Sequence, residues 1–229
     1  MIKLNVLIAC EESQAECAAF RALGHNAYSC DVQPCRKSGN PYWHILGDVT
    51  PLLRGDTAFV TQAGFLRCVP KWDLIVAHPP CTYLCRLSSV QMKKEPLELC
   101  TAGWGSYLAN HDRFVKMVQA RDFFFECLDA SAHYVCVENP VPMSMTNLPK
   151  PTTFACPSWF GVKYTKKTCY WLKNLPPLMP TIFHQHPKCY VQSSRGKYRS
   201  RTFPELANAL AAQFSAAIIE DIKNGLYQV

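Results

Sequence analysis

Residues 72–81 read WDLIVAHPPC. Leu74, Ile75, Val76 and Ala77 form an unbroken apolar run too short for a helix, so the segment reads as a strand buried on both faces. His78-Pro79-Pro80-Cys81 follows at once. Proline has no N–H to give a sheet ladder and fixes its own φ, so the pair ends the strand and stiffens its exit. Cys81 therefore stands at a rigid tip, with Thr82 and Tyr83 behind it. It is one of thirteen cysteines, and its position rather than its type marks it as a thiolate that would attack an electrophilic carbon.

Upstream, Lys3–Ala9 (KLNVLIA) reads as a first buried strand, followed too soon by Glu11 and Glu12 to be a secretion leader. Glu12–Leu23 has helical spacing, with Ala15, Ala18, Ala19 and Leu23 on one side and Gly24 as its stop. Asn26–Asp31 (NAYSCD) is a second strand ending in a carboxylate, and a loop leads from it to Gly47-Asp48-Val49. Downstream, 84–110 is irregular, Arg113–Leu128 is helical, and Tyr134–Val137 is a strand running into Glu138-Asn139-Pro140. A strand pair is expected around Lys167–Leu172, and Pro204–Ile222 is an amphipathic helix with proline in its first turn.

Strands alternate with helices through residue 140, which argues for a doubly wound α/β sheet. Ligands in such sheets bind beyond the carboxyl ends of the strands. Asp31, Asp48, Cys81 and Glu138 each follow an expected strand. There is no internal repeat or linker, so residues 1–229 read as one domain. Within it, 150–201 is a basic, substrate-facing appendage and 202–229 packs back on the core.

Nearly half of the 229 residues are apolar, 48%, which is enough for a packed core and argues against global disorder. No apolar run approaches the roughly 20 residues that cross a bilayer, so a cytoplasmic protein without membrane contact is expected. Cysteines without a Cys-x-x-Cys spacing fit a reducing compartment. Neither Cys30/Cys35 nor His184/His186/Cys189 completes a tetrahedral set, and no metal is expected. Residues 1–149 hold 13 Lys and Arg against 14 Asp and Glu, whereas 150–201 hold ten basic residues and no acid. A solvated face normally mixes signs, so this one-signed stretch reads as a contact surface for a polyanion.

Glu138 would end its strand at the same sheet edge as Cys81. A carboxyl group that shares a proton can hydrogen-bond a ring nitrogen and an exocyclic amine together, drawing electrons from a pyrimidine ring. Pro80-Cys81 and Glu138-Asn139, in this order and spacing, resemble the nucleophile and acid motifs of the cytosine-5 DNA methyltransferases. Gly47-Asp48-Val49 looks like that family's Gly-Asp-Ile, and Asp31 stands where an acid holds a ribose. The resemblance covers nearly the whole chain and implies a Rossmann-like sheet that binds S-adenosylmethionine. It implies Cys81, Glu138 and Lys166 as catalytic residues, Lys166 standing where an arginine is usual. It brings Ala9, Cys10, Glu11, Ser13, Asp31, Val32, Asp48, Val49, Pro79, Arg201 and Thr202 toward the cofactor. Pro80, Thr82, Tyr83, Asn139, Pro140, Lys163, Lys167, Thr168 and Arg199 would face DNA, with Tyr83 and 84–110 covering a flipped base.

Several positions depart from the family pattern. The Phe-x-Gly-x-Gly loop reads Ala9-Cys10-Glu11-Glu12-Ser13, the glutamine after Pro-Cys is Thr82, and Glu-Asn-Val is Glu138-Asn139-Pro140. Only 26 residues separate Leu172 from Arg199, leaving no room for a target-recognition domain. The expectation is therefore weak sequence specificity, or a protein partner or dimer that supplies recognition. Arg201 lies where the resemblance brings the cofactor's sulfonium near. A second reading is thus carboxymethyl transfer from carboxy-S-adenosylmethionine, with the guanidinium gripping the carboxylate. A third is methylation of a free pyrimidine nucleotide, and a fourth is a non-catalytic nucleic-acid-binding relative.

If about five of the basic residues in 150–201 meet phosphates, DNA affinity should fall with salt on a log–log slope of about −4 and depend little on sequence. Titrations of unrelated duplexes between low and moderate salt check this. A flat response, or tight selection of a long motif, would contradict it.

Overall fold

A computed structural model describes residues 2–182, 187–189 and 202–228. The first half runs β1 (Asn5–Ala9), α1 (Ala15–Ala22), β2 (Asn26–Asp31), β3 (His44–Leu46), α2 (Thr50–Leu53), β4 (Ala58–Val60), β5 (Leu66–Cys68) and β6 (Leu74–Ala77). Then come α3 (Ser89–Met92), β7 (Glu98–Ala102), β8 (Gly105–Ala109), α4 (His111–Leu128) and β9 (Tyr134–Pro140). The remainder holds β10 (Thr153–Ala155), β11 (Tyr164–Thr165), β12 (Thr168–Lys173), β13 (Lys188–Cys189) and α5 (Pro204–Lys223).

Seven strands make one sheet in the order β10-β12-β9-β6-β1-β2-β3. The five from β9 to β3 are mutually parallel, while β12 runs antiparallel between β9 and β10. The chain builds outward from β1 through β2 to β3, then crosses back to lay β6 on the other side of β1. The strand order therefore reverses between β1 and β6, and a crevice opens there beyond the carboxyl ends.

Both faces of the sheet are covered. Leu74, Val76, Tyr134 and Cys136 point toward α1 and α5, where Phe20, Leu210 and Phe214 meet them. Ile75, Ala77, Val135 and Val137 point the other way, onto Phe114, Met117 and Phe124 of α4. Strands covered on both faces carry continuous apolar runs, which is why LIVA and YVCV were legible as strands.

Three expectations are corrected. The first helix starts at Ala15 rather than Glu12, because Cys10 (φ 62°) and Gln14 (φ 59°) take the left-handed conformation and spend residues 10–14 on a turn. Region 84–110 holds α3 and the β7–β8 hairpin. Leu99 and Leu108 pair across that hairpin and stand 75% and 65% exposed, while Cys100 and Ala109 on its other face are buried in the core. The basic segment is not simply an appendage: β10 and β12 complete the main sheet, with Ala155 and Tyr170 buried in the core. Among the described residues no helix is long and apolar enough to cross a membrane.

The amino edge of the sheet is tied by Asp73. Fully buried, it accepts from the Asn5 N–H at 2.7 Å and from the Tyr227 hydroxyl at 2.8 Å, joining β1, the start of β6 and the C-terminal segment. Asp73→Ala strands both donors and should lower unfolding stability by about 1–3 kcal/mol. Urea denaturation measures this, and an unchanged midpoint would contradict it.

Candidate active site

The site is built by adjacent strand ends. Ala77 of β6 pairs with Val137 of β9, so His78 and Glu138 emerge side by side. The His78 N–H still reaches the Ala9 carbonyl at 3.0 Å before the prolines end the ladder. Cys81 then opens a 3₁₀ turn, and the Leu84 and Cys85 N–H groups donate to its carbonyl at 3.1 and 3.0 Å. The loop after β9 is laced to this turn by Arg86 N–H to Val141 carbonyl and Met143 N–H to Leu84 carbonyl, each 2.8 Å.

His78 lies between two carboxylates. Its Nε2 is 3.0 Å from Glu16 Oε2 and its Nδ1 is 3.2 Å from Glu138 Oε2. The side chains are 14% exposed for His78, 2% for Glu16 and 17% for Glu138. Burial by itself would lower the imidazole pKa, but Glu16 and Glu138 outweigh it and raise it well above the ordinary value. Burial would likewise raise Glu138, yet His78 and the Lys166 ammonium hold it below the usual carboxylate range. Glu16, His78, Glu138, Lys166 and Thr202 line a cavity of about 20 Å³, room for about one water.

Cys81 is partly buried, and its thiol is pushed up by its hydrogen bond with Cys85, by burial and by Glu138, with Lys166 acting against them. Cys85 is the acidic member of the pair, brought down to about 5 by Cys81, by the Ser88 hydroxyl 3.3 Å away and by backbone N–H groups of Leu87 and Ser88. Cys81, Glu138 and Lys166 are thus mutual electrostatic neighbours.

Across the strand reversal, Cys10, Asp31 and Asp48 form a second group. Burial pushes the Cys10 thiol up, and Cys127, Asp31, Cys30 and Asp48 add to the effect. Burial also raises Asp31. Its Oδ1 accepts from the Gln33 N–H at 2.8 Å, and the Val32 N–H also favours the ionised carboxylate. Asp48 is exposed and accepts from the Thr50 N–H at 3.0 Å.

The other expected site residues divide by exposure. Glu11 is buried and spent on α1, its carboxylate accepting from the Glu16 and Cys17 N–H groups at 2.8 and 3.3 Å. Burial and Glu16 push Glu11 up to about 7. Ser13 donates to Glu11 at 3.3 Å, and the left-handed residues are Cys10 and Gln14, not the aligned glycine positions Glu11 and Ser13. Ala9, Val49 and Pro79 are buried, while Val32 and Pro80 are exposed.

Asn139, expected at the substrate, is instead buried and donates to the Pro79 carbonyl at 3.3 Å, clamping β9 to the cysteine turn. Thr168 is buried too, its hydroxyl donating to the Lys166 carbonyl at 3.2 Å. Thr82 is exposed, and Tyr83 lies under the Arg113 guanidinium at 4.9 Å. Pro140 pairs with Thr168, and Lys163 and Lys167 are exposed against Tyr164 and Phe154. Arg199, Arg201, His184 and His186 lie outside the described residues. Among the described residues no cluster of three His, Cys, Asp or Glu could hold a metal ion.

Sequence reasoning missed His78, Glu16 and Cys85 as site residues. His78 stood inside the deciding stretch, one step beyond a buried strand, and that position was the available signal. Glu16 and Cys85 gave none, because only the strand order and the 3₁₀ turn bring them in.

No family model and no curated protein matches the chain. Among solved structures it is similar to an E. coli prophage protein named as a DNA modification methyltransferase, at 11% identity and a TM-score of 0.40. The match covers 80% of this chain and 52% of that one, so the chain spans about half that protein's length.

Proposed function

We propose that this chain is an S-adenosylmethionine-dependent enzyme that methylates carbon 5 of cytosine in DNA with little sequence selectivity. The observation that carries the reading is the convergence of a thiol, a carboxyl group and an ammonium at two adjacent strand ends: Cys81, Glu138 and Lys166. The acidic group of Cys10, Asp31 and Asp48 stands across the crevice from them.

The residues of that second group suit the cofactor. The Asp31 carboxylate has lone pairs beyond those met by backbone N–H groups and would accept from a ribose hydroxyl, and its partial burial makes such a donor favourable. Exposed Asp48 can accept from an adenine amine. The aligned glycine positions carry side chains, and the turn is made by Cys10 and Gln14, so the approach to the methionine moiety differs from the family's. When bound, S-adenosylmethionine supplies an electrophilic methyl group.

The chain's own residues do the rest. Cys81 gives up its thiol proton to water and its sulfur adds to C6 of the extruded cytosine. Glu138 protonates N3, so the electron pair released from the C5–C6 bond is held in the ring. Lys166 restrains the negative charge of both groups. Methylated C5 then loses its proton to a base, the S–C6 bond breaks, and Cys81 is free. The basic segment supplies phosphate contacts on DNA, and a partner or second copy would supply any further selectivity.

DNA incubated with the protein and S-adenosylmethionine should yield 5-methylcytosine by nucleoside mass spectrometry. Cys81→Ser should yield none, since a serine oxygen is a far weaker nucleophile than a thiolate at neutral pH. Equal methylation by the serine variant would remove Cys81 from the chemistry. Asp31→Ala should weaken S-adenosylmethionine by about 1–3 kcal/mol in calorimetric titration. Unchanged affinity would put the cofactor elsewhere.

A further inference from the structure

We propose that His78 is a positioning residue that stores the proton Glu138 delivers to N3 of the substrate ring, with Glu16 holding it in its charged form. The inference rests on the methyltransferase reading and deepens it.

The geometry suits a charged ring. Carboxylate oxygens face both ring nitrogens, at 3.0 and 3.2 Å. A neutral imidazole has one N–H and one lone pair, so one carboxylate would meet a lone pair. Only the imidazolium donates to both. Glu16 is 2% exposed and has little water to solvate it, so the cation also stabilises that buried charge. The other titratable groups around His78 are Glu11 before α1, Cys136 of β9, Lys166 before β12 and Tyr170 of β12. Phe203 and Leu206 at the start of α5 bring no charge.

This arrangement resolves a conflict inside the active site. Between His78 and Lys166, Glu138 rests as a carboxylate, which has no proton to give. His78 Nδ1–H already points at Glu138. As the Cys81 sulfur forms the S–C6 bond, Nδ1 gives its proton to Glu138, and Glu138 passes a proton on to N3. His78 is then neutral and keeps its Nε2–H on Glu16. When the S–C6 bond breaks, the N3 proton returns through Glu138 to Nδ1, so the relay ends as it began.

The test combines pH-dependent trapping with imidazole NMR. Formation of the covalent adduct with a 5-fluorocytosine oligonucleotide and S-adenosylmethionine is followed at single turnover from acidic to alkaline pH. Wild type should hold its rate through neutrality and lose it only as His78 deprotonates at its raised pKa. His78→Gln should move that alkaline limb down by about one unit or more and slow the reaction at neutral pH by about a hundredfold. Glu16→Gln should move the limb the same way and serves as the second variant if His78→Gln does not fold. A purely structural role would scale the profile without moving the limb, and that result in both variants overturns the relay.

Nitrogen-15 shifts of His78 should report a doubly protonated ring at pH 8 in wild type, with a lower midpoint in Glu16→Gln. A wild-type midpoint near 6.5 also overturns the relay, whatever the activity. Absence of adduct from wild type at every pH, with His78 charged as expected, instead overturns the methyltransferase reading and takes proton delivery with it.

Discussion

The five parallel strands are covered on both faces, and that constraint governs the molecule. Polar groups cannot be met by water inside such a layer, so they gather at its two edges. The amino edge is closed with neutral and singly charged partners. Asp73 takes the Asn5 N–H and the Tyr227 hydroxyl, and His25 takes the Leu4 N–H. The carboxyl edge carries charge that structure alone does not require: Glu11, Glu16, His78 and Glu138 lie within one small region. Removing one partner from a buried ion pair costs about 3–5 kcal/mol. Groups kept at that risk, beside a narrow cavity, make this edge the candidate site.

The strand reversal divides this edge into two halves with different chemical characters. On one side, Cys10, Asp31 and Asp48 present thiol and carboxylate groups to the crevice. On the other, Cys81, Glu138 and Lys166 combine a thiol, a carboxyl group and an ammonium. Because β1 and β6 are paired neighbours, the halves meet at their common strand ends, and the His78 N–H bonded to the Ala9 carbonyl is the seam.

Two local devices hold the second half in shape. The Asn139 amide grips the Pro79 carbonyl, so the turn bearing Cys81 cannot swing away from β9. Cys85 sits one turn beyond Cys81 and anchors that turn through its N–H bond to the Cys81 carbonyl, while its sulfur lies 3.3 Å from the Ser88 hydroxyl. Local hydrogen bonds thus fix the turn before any ligand arrives.

The sequence alone determined the layer. The apolar runs at 5–9, 74–77 and 134–137, the two prolines after His78 and the carboxylates that follow the strands are local signals, so the α/β sheet and the edge bearing Cys81, Glu138, Asp31 and Asp48 were legible. What only the tertiary structure decided is which groups face one another. Strand order brings Glu16 of α1 to His78, across 62 positions of sequence. The left-handed turns at Cys10 and Gln14 turn Glu11 inward as the cap of α1. Antiparallel pairing carries β12 of the basic segment into the main sheet and buries Thr168 and Asn139, which had seemed free to meet a substrate. Periodicity reports whether a residue is buried, but the partner it meets there depends on contacts between distant segments, and those exist only once the sheet has closed.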